Sequence, residues 1–170
     1  MSGARIDAID LYQLTDGLAT GELIPVPPGF ADQIPADCLL SQLGIVLTRI
    51  GRGSAVAEMT VGRGHLNQRG VAQAGAIVSL ADAVAGWASY SVIDQGRFTT
   101  IDLNTNLLQA AREGDRLRAT ASPVRLGRRV QVIDVLVEAV CGEDGSAPPN
   151  PVARFSCSQL VLEAQASGQE

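Results

Sequence analysis

The spacing of apolar residues changes several times along the chain, and each change marks a different element. Over residues 5–20, Ile6, Ile9, Tyr12 and Leu18 are interleaved with Asp7, Asp10 and Asp16, a pattern that predicts an amphipathic helix ending near Gly21. The stretch PVPPGFADQIPAD then holds four prolines and a glycine, which forbids regular helix and predicts a connector running up to residue 38. From Leu39 the runs LLSQLGIVLTRI and SAVAEMTV read as two strands, separated by a hairpin-type turn at Gly51, Arg52 and Gly53. A polar loop, GRGHLNQRG, follows. The run from Val71 to Tyr90 differs in kind: Ala72, Ala76, Ile77, Leu80, Ala81, Val84, Ala85 and Ala88 leave it apolar on nearly every side, which predicts a central helix. After a turn at Asp94, Gln95 and Gly96 come four β-rich stretches, FTTIDLNTNLL, DRLRATASPVRL, RRVQVIDVLVEAV and PVARFSCSQLVLEA, the middle pair joined at Gly127. CGEDGSAPPN reads as a loop between the last two strands and QASGQE as a frayed tail.

The resulting order, ββαββββ, predicts an α+β layer arrangement in which a curved antiparallel sheet of about six strands wraps a buried helix. Residues 1–35 are expected to form an N-terminal helix and Pro-rich connector, residues 36–164 one domain, and residues 165–170 a tail. A chain of 170 residues with 46% hydrophobic residues can fill one substantial core. No apolar run is long enough to cross a membrane and MSGARIDAIDLYQ lacks a secretory signal pattern, so the expected setting is soluble and cytoplasmic. The net charge of -5 gives no long-range attraction for nucleic acid. Cys38, Cys141 and Cys157 are odd in number and far apart, which argues against a disulfide framework or a zinc cluster and for buried thiols. All 13 basic residues are arginine, so any phosphate must be held by guanidinium or backbone N–H groups.

Asp82 interrupts the apolar helix within AIVSLADAVAGW. A lone carboxylate there is costly unless paired or put to use; alternatively it sits on a narrow solvent-facing stripe with Ser79 and Gly86. At the helix start, Gly70, Val71, Ala72, Gln73, Ala74 and Gly75 include no Ser, Thr, Asp or Asn just before the first turn to cap its free N–H groups. Small residues and a helix N-terminus suit an anion such as the oxyanion of a tetrahedral intermediate, and they equally suit an ordinary glycine turn.

The stretch HLNQRGVAQAGAIVSLAD resembles the hot-dog-fold acyl-CoA thioesterases of the phenylacetate-degradation (PaaI-like) type, whose pattern is N-x-x-G-x-x-H-G-G, six residues, then D. Asn67, Gly70, Gln73, Ala74, Gly75 and Asp82 occupy that register without a gap. TTIDLNTNLLQAAREGDRLRATA resembles the next two strands of that family, including Asp102 and Asn104, so that the likeness covers about residues 36–163. It implies a hot-dog fold, a catalytic carboxylate at Asp82, an oxyanion N–H at Ala74, an asparagine near the carbonyl or water at Asn67, and a hydroxyl at Thr100 or the adjacent Thr99. Strand alternation favours Thr99, on the face of Ile101 and Leu103. Gln73 stands where the family has histidine and Ala74 where it has glycine; glutamine still hydrogen-bonds but does not titrate near neutrality, and the alanine methyl narrows the approach to the N–H. Gln73, Gly75 and Gly70 are the expected substrate-binding neighbours.

On one helix, residues 74 and 82 lie about 12 Å apart at 1.5 Å per residue, too far to touch one carbonyl together. If both act, two chains contribute to each site, so the active unit is at least a homodimer; the family likeness implies the same, often doubled to a homotetramer. Arg125, Arg128 and Arg129 surround the Gly127 hairpin, either as a solvated turn or as contacts for coenzyme A phosphates, with Arg128 and Arg129 the candidates for the phosphates. Other chemistries fit less well: there is no G-x-S-x-G elbow, the only histidine, His65, lies in a loop, and GRGS and GRGH lack a dinucleotide-binding register. The expected activity is hydrolysis of an acyl-CoA thioester with no cofactor and no metal. The rivals are a non-catalytic acyl-CoA binder that lost turnover through Gln73 and Ala74, and a hot-dog enoyl hydratase, which would need a histidine beside the aspartate.

Overall fold

The computed structural model describes residues 9–94, 97–140 and 150–162. In chain order its elements are α1 (Leu11–Thr15), β1 (Ile24–Pro25), α2 (Leu39–Gln42), β2 (Val46–Gly51), β3 (Ser54–Thr60), α3 (Ala74–Tyr90), β4 (Arg97–Leu107), β5 (Arg116–Leu126), β6 (Val130–Ala139) and β7 (Asn150–Leu162), with single 3-10 turns at Ala31–Gln33 and Arg63–His65. The strands form one antiparallel sheet in the order β1-β2-β3-β5-β6-β7-β4. Alternate residues of the central strands, among them Ala57, Leu117, Ala119, Ile133, Val135, Phe155 and Cys157, point inward and bury against α3. This is the predicted α+β arrangement: a curved sheet folded over one principal helix.

Three local expectations are corrected. The segment from Leu39 does not begin as a strand: Leu39–Gln42 makes one helical turn that ends at Gly44, whose φ of 62° is the left-handed conformation glycine adopts without penalty. The Ile45 N–H then reaches back to Leu40 O at 2.9 Å, closing the turn and delivering the chain into β2. Upstream, the expected long helix is reduced to α1, capped by the Asp10 carboxylate on the Tyr12 N–H at 2.8 Å; residues 1–8 lie outside the described residues. The Pro-rich connector also carries strand structure: β1 pairs with β2 as the seventh strand, an edge position where Pro25 costs no central ladder bond.

The segment before α2 is packed against the body of the fold. Thr15 Oγ1 donates to Ser91 O at 2.9 Å just past the end of α3, and Ser91 Oγ accepts from the Gly53 N–H at 2.8 Å, so one buried serine joins α1, α3 and the β2–β3 turn. Phe30 meets Trp87 edge-on at 6.3 Å. The expected turn at Gln95 and Gly96, the loop over residues 141–149 and the tail from residue 163 lie outside the described residues.

The helix expected to be apolar all round is covered on one side. Ala76, Ile77, Leu80, Ala81, Val84, Ala85, Trp87 and Ala88 are buried, whereas Gly75, Asp82 and Tyr90 are exposed and Ser79, Ala83 and Gly86 half-exposed. Leu80 has no exposed surface, so Leu80→Ala is expected to cost about 2–5 kcal/mol by leaving a cavity under the sheet. Urea unfolding checks this: the midpoint should fall while the slope stays constant.

Candidate active site

Asp82 lies at the middle of the open face of α3. Its carboxylate is exposed within the single chain, on the stripe shared with Ser79 and Gly86, so it is not enclosed by apolar side chains as its sequence neighbours suggest. The reason is geometric: residues 75, 79, 82, 86 and 90 recur at helical spacing on the side the sheet does not reach.

Thr100 meets it from β4. Its Oγ1 donates to Asp82 Oδ1 at 3.0 Å, which fixes one carboxylate oxygen; the other accepts no hydrogen bond among the described residues. Strict alternation had favoured Thr99 instead; a β-bulge between Thr100 and Asp102 overrides it. Ile101 is the extra residue, 55% exposed, so Phe98 and Thr100 face the helix before the bulge and Leu103 after it. Around the pair lies a hollow of about 250 Å3 whose walls include Leu40, Gly86, Trp87, Tyr90 and Phe98. None of these five was singled out as a site residue from the sequence. The signal that could have found Gly86 is its i+4 spacing from Asp82: a Cβ there would come within 3.3 Å of the Phe98 ring.

At the start of α3 the capping residue Gln73 makes no side-chain hydrogen bond. Gln73 N–H donates to His65 O at 2.7 Å and Ala76 N–H to Gln73 O at 3.0 Å. The intervening N–H groups, of Ala74 and Gly75, face a first turn that no side chain caps, and a Cβ added at Gly75 would meet nothing within 4 Å. Asn67 shapes this entrance: its Oδ1 accepts from the Arg69 N–H at 2.8 Å and the Val71 N–H at 3.5 Å, and Gly70 completes the turn with φ of 75°. His65 is occupied locally, its Nδ1 accepting from the Gly62 N–H at 3.1 Å. Thus Asn67, Gly70, Gln73, Ala74 and Gly75 form one group and Asp82 with Thr100 another, two turns away along the helix.

Arg128 and Arg129 belong to neither group. They are exposed and line a separate open hollow of about 1120 Å3 between the β5–β6 hairpin and the segment after α3, together with Arg52 and Gln131. Gln131 is buried and its Oε1 has no hydrogen-bond partner among the described residues.

The cysteines divide. Cys38 is half-exposed rather than buried, because the turn of α2 presents it at the surface; hydrogen bonds from the Ser41 backbone N–H and then its hydroxyl hold the thiol below its usual pKa. Cys141 lies outside the described residues. Cys157 faces the underside of α3 with no exposed surface; burial, and after it the carboxylates of Asp82, Asp134 and Asp102, push its thiol up to about 12. It is therefore a neutral packing group and not a nucleophile.

A sequence profile of the thioesterase superfamily matches residues 69–145, the span that contains the helix and its two flanking regions. A curated relative from Haemophilus influenzae, named "Putative esterase", is 31% identical over 110 residues, covering 63% of this chain and 79% of that protein. Among solved structures, the Escherichia coli PaaI protein from the phenylacetic acid degradation operon superposes with a TM-score of 0.66 at 24% identity, over 75% of this chain and 86% of that one. A Streptococcus mutans protein bound to acetyl-CoA superposes with a TM-score of 0.61 at 24% identity, over 69% and 88%.

The folded thiol of Cys157 keeps its proton to about 12, whereas an unfolded cysteine releases it near ~8.5. The unfolded chain therefore gains stability first as pH rises, and the folded state should lose stability between about pH 8.5 and 12. Unfolding free energies measured across that window should decline more steeply for the native chain than for Cys157→Ala.

The profile over residues 69–145 and the curated relative at 31% identity, joined to a curved sheet folded over one helix, give one assignment: the chain belongs to the thioesterase superfamily, as a hot-dog thioester hydrolase of the PaaI-like type.

Proposed function

We propose that the chain hydrolyses acyl-CoA thioesters with Asp82 as the catalytic carboxylate and the Ala74 N–H of a second copy as the oxyanion donor. The observation that carries this reading is the Thr100–Asp82 hydrogen bond at 3.0 Å, which orients a carboxylate toward an open hollow instead of neutralising it with a cation. Asp82 removes a proton from water, the resulting hydroxide attacks the thioester carbonyl carbon, and the oxyanion accepts the Ala74 N–H. Collapse of the intermediate breaks the C–S bond, releasing the free acid and coenzyme A, whose sulfur takes up the proton that Asp82 removed from water and so restores the carboxylate. Direct attack by Asp82 would pass instead through an acyl-enzyme anhydride; single-turnover hydrolysis in labelled water separates the two, since only direct attack puts an unlabelled enzyme oxygen into the first product.

The two-chain site follows from the separation of about 12 Å between residues 74 and 82 on one helix. A homodimer is the minimum that brings them to one carbonyl, and a homotetramer doubles it. Asn67 lies near the carbonyl or the catalytic water, Gly70 shapes the entrance turn, and Gln73 and Gly75 border the thioester; Arg128 and Arg129, which on one chain belong to neither group, reach the coenzyme A phosphates only from another copy. Acetyl-CoA on the Streptococcus mutans protein supports the choice of coenzyme A ester. No helix among the described residues is long and apolar enough to cross a membrane, in keeping with a cytoplasmic setting for this substrate.

Asp82→Ala is expected to lower kcat about 100-fold to 10,000-fold in a thiol-release assay, the range for loss of a general base. Thr100→Val, which removes one hydrogen bond to a charged group worth about 1.5–3 kcal/mol, should cost at most about 10-fold to 150-fold. An unchanged rate in Asp82→Ala contradicts the assignment.

A further inference from the structure

The hollow at Asp82 does not end at the helix. A second hollow of about 350 Å3 adjoins it, the two sharing Trp87 and Tyr90 as common walls. The far side of the second is built by the N-terminal segment: Leu11 of α1, Phe30 and Ile34, with Ile93 beneath. Its polar residues are turned to local use. Asp10 Oδ1 accepts the Tyr12 and Gln13 N–H groups at 2.8 and 3.4 Å, and Gln33 Oε1 accepts the Ile9 N–H at 3.0 Å. Neither hollow is lined by an arginine or a histidine. The pair therefore offers Asp82, Thr100 and Ser79 at one end and a mostly apolar lining beyond, where Asp10 and Gln33 are engaged by backbone N–H groups, which suits a neutral aliphatic chain and not a phosphate or a second carboxylate.

The length of the groove is set by α3. Asp82 and Tyr90 are eight residues apart, or about 12 Å along the axis at 1.5 Å per residue. An extended chain advances about 1.2 Å per bond, taking 3.3–3.6 Å per three-bond residue, so about ten bonds carry an acyl chain from the reacting carbonyl to Tyr90 and the mouth of the second hollow. Gly86 carries no side chain between Asp82 and Tyr90, and the Phe98 ring closes against the helix in the space a Cβ would take. Phe98 in turn supports Tyr90, their rings in edge contact at 4.7 Å.

We propose that the N-terminal segment is the end wall of the acyl-binding groove and sets chain-length preference for straight acyl groups longer than about ten carbons, with Ile34, Phe30 and Leu11 meeting the terminal methyl. This rests on the reading of Asp82 as the carboxylate at the thioester. Ile34 is only half-buried and can be changed without opening the core.

The test compares kcat/KM across straight-chain acyl-CoA substrates, from acetyl to palmitoyl, in the native chain, Ile34→Phe and Ile34→Ala. The native chain should prefer acyl groups longer than decanoyl. Ile34→Phe should lower the myristoyl-to-acetyl activity ratio about tenfold, the effect of about one misplaced methylene, and Ile34→Ala should move the optimum to longer chains. Trp87, the only tryptophan of the chain, supplies a readout independent of turnover. A non-hydrolysable thioether analogue of decanoyl-CoA should shift its fluorescence, and the acetyl analogue should not. A Trp87 response without hydrolysis of any ester by the native chain supports the groove and removes the catalytic reading. Hydrolysis with a chain-length profile that neither variant moves overturns the groove and leaves the catalytic reading standing, as would be found if a second copy filled the hollows.

Discussion

One sheet can cover only part of the circumference of one helix, and this constraint decides where chemistry can occur in the chain. The covered side of α3 is filled by Ile77, Leu80, Ala81, Val84 and Ala88, each at most 3% exposed, against the inward residues of the sheet. A carboxylate on that side would lose its hydration to an apolar core, a penalty of several kcal/mol without a partner. On the uncovered side Asp82 keeps contact with solvent, accepts one hydrogen bond from Thr100 and retains a free oxygen. Small residues at 75, 79 and 83 keep that side low, and at 86 the Phe98 ring packs against the helix.

The succession of elements from β2 to β7, the central helix and the hairpin at Gly127 are legible in the sequence because each rests on a strong local signal: β-branched runs, glycine turns and a long alanine-rich span. What escaped were features set by single residues or by tertiary contact. The helical turn at Leu39–Gln42 hides inside an apolar run and is fixed by the positive φ of Gly44. The bulge at Ile101 has no glycine or proline to announce it, and it reverses which threonine faces the helix. α3 is so rich in alanine and glycine that its two faces differ little in hydropathy, so the sequence leaves Asp82 equally well in the core or on an open stripe with Ser79 and Gly86, and the structure selects the stripe. The N-terminal segment reads as a helix and a connector, and Thr15 on Ser91, Phe30 on Trp87 and the pairing of β1 with β2 reveal that it is part of the packed body.

The same open face gives both parts of the proposed site a common logic. Gln73 leaves the first turn of α3 uncapped, which is unfavourable for an isolated helix and useful if an oxyanion completes the cap during turnover. Asp82 stands two turns further on. Because a rigid helix cannot bring its own positions 74 and 82 together, the arrangement works only if the helices of two copies present opposite ends to one thioester.

That claim is tested most directly by mixing two inactive chains. Ala74→Pro removes the oxyanion N–H at the first helical position, where proline is tolerated, and Gln73 already has the extended backbone that precedes proline, with φ of -64° and ψ of 137°. Asp82→Ala removes the carboxylate. Co-refolded as mixed dimers, the two chains should regain thioester hydrolysis, because one of the two sites then combines an intact Asp82 with an intact Ala74 N–H from the other chain. Mixed dimers as inactive as either parent would contradict a site shared between two chains.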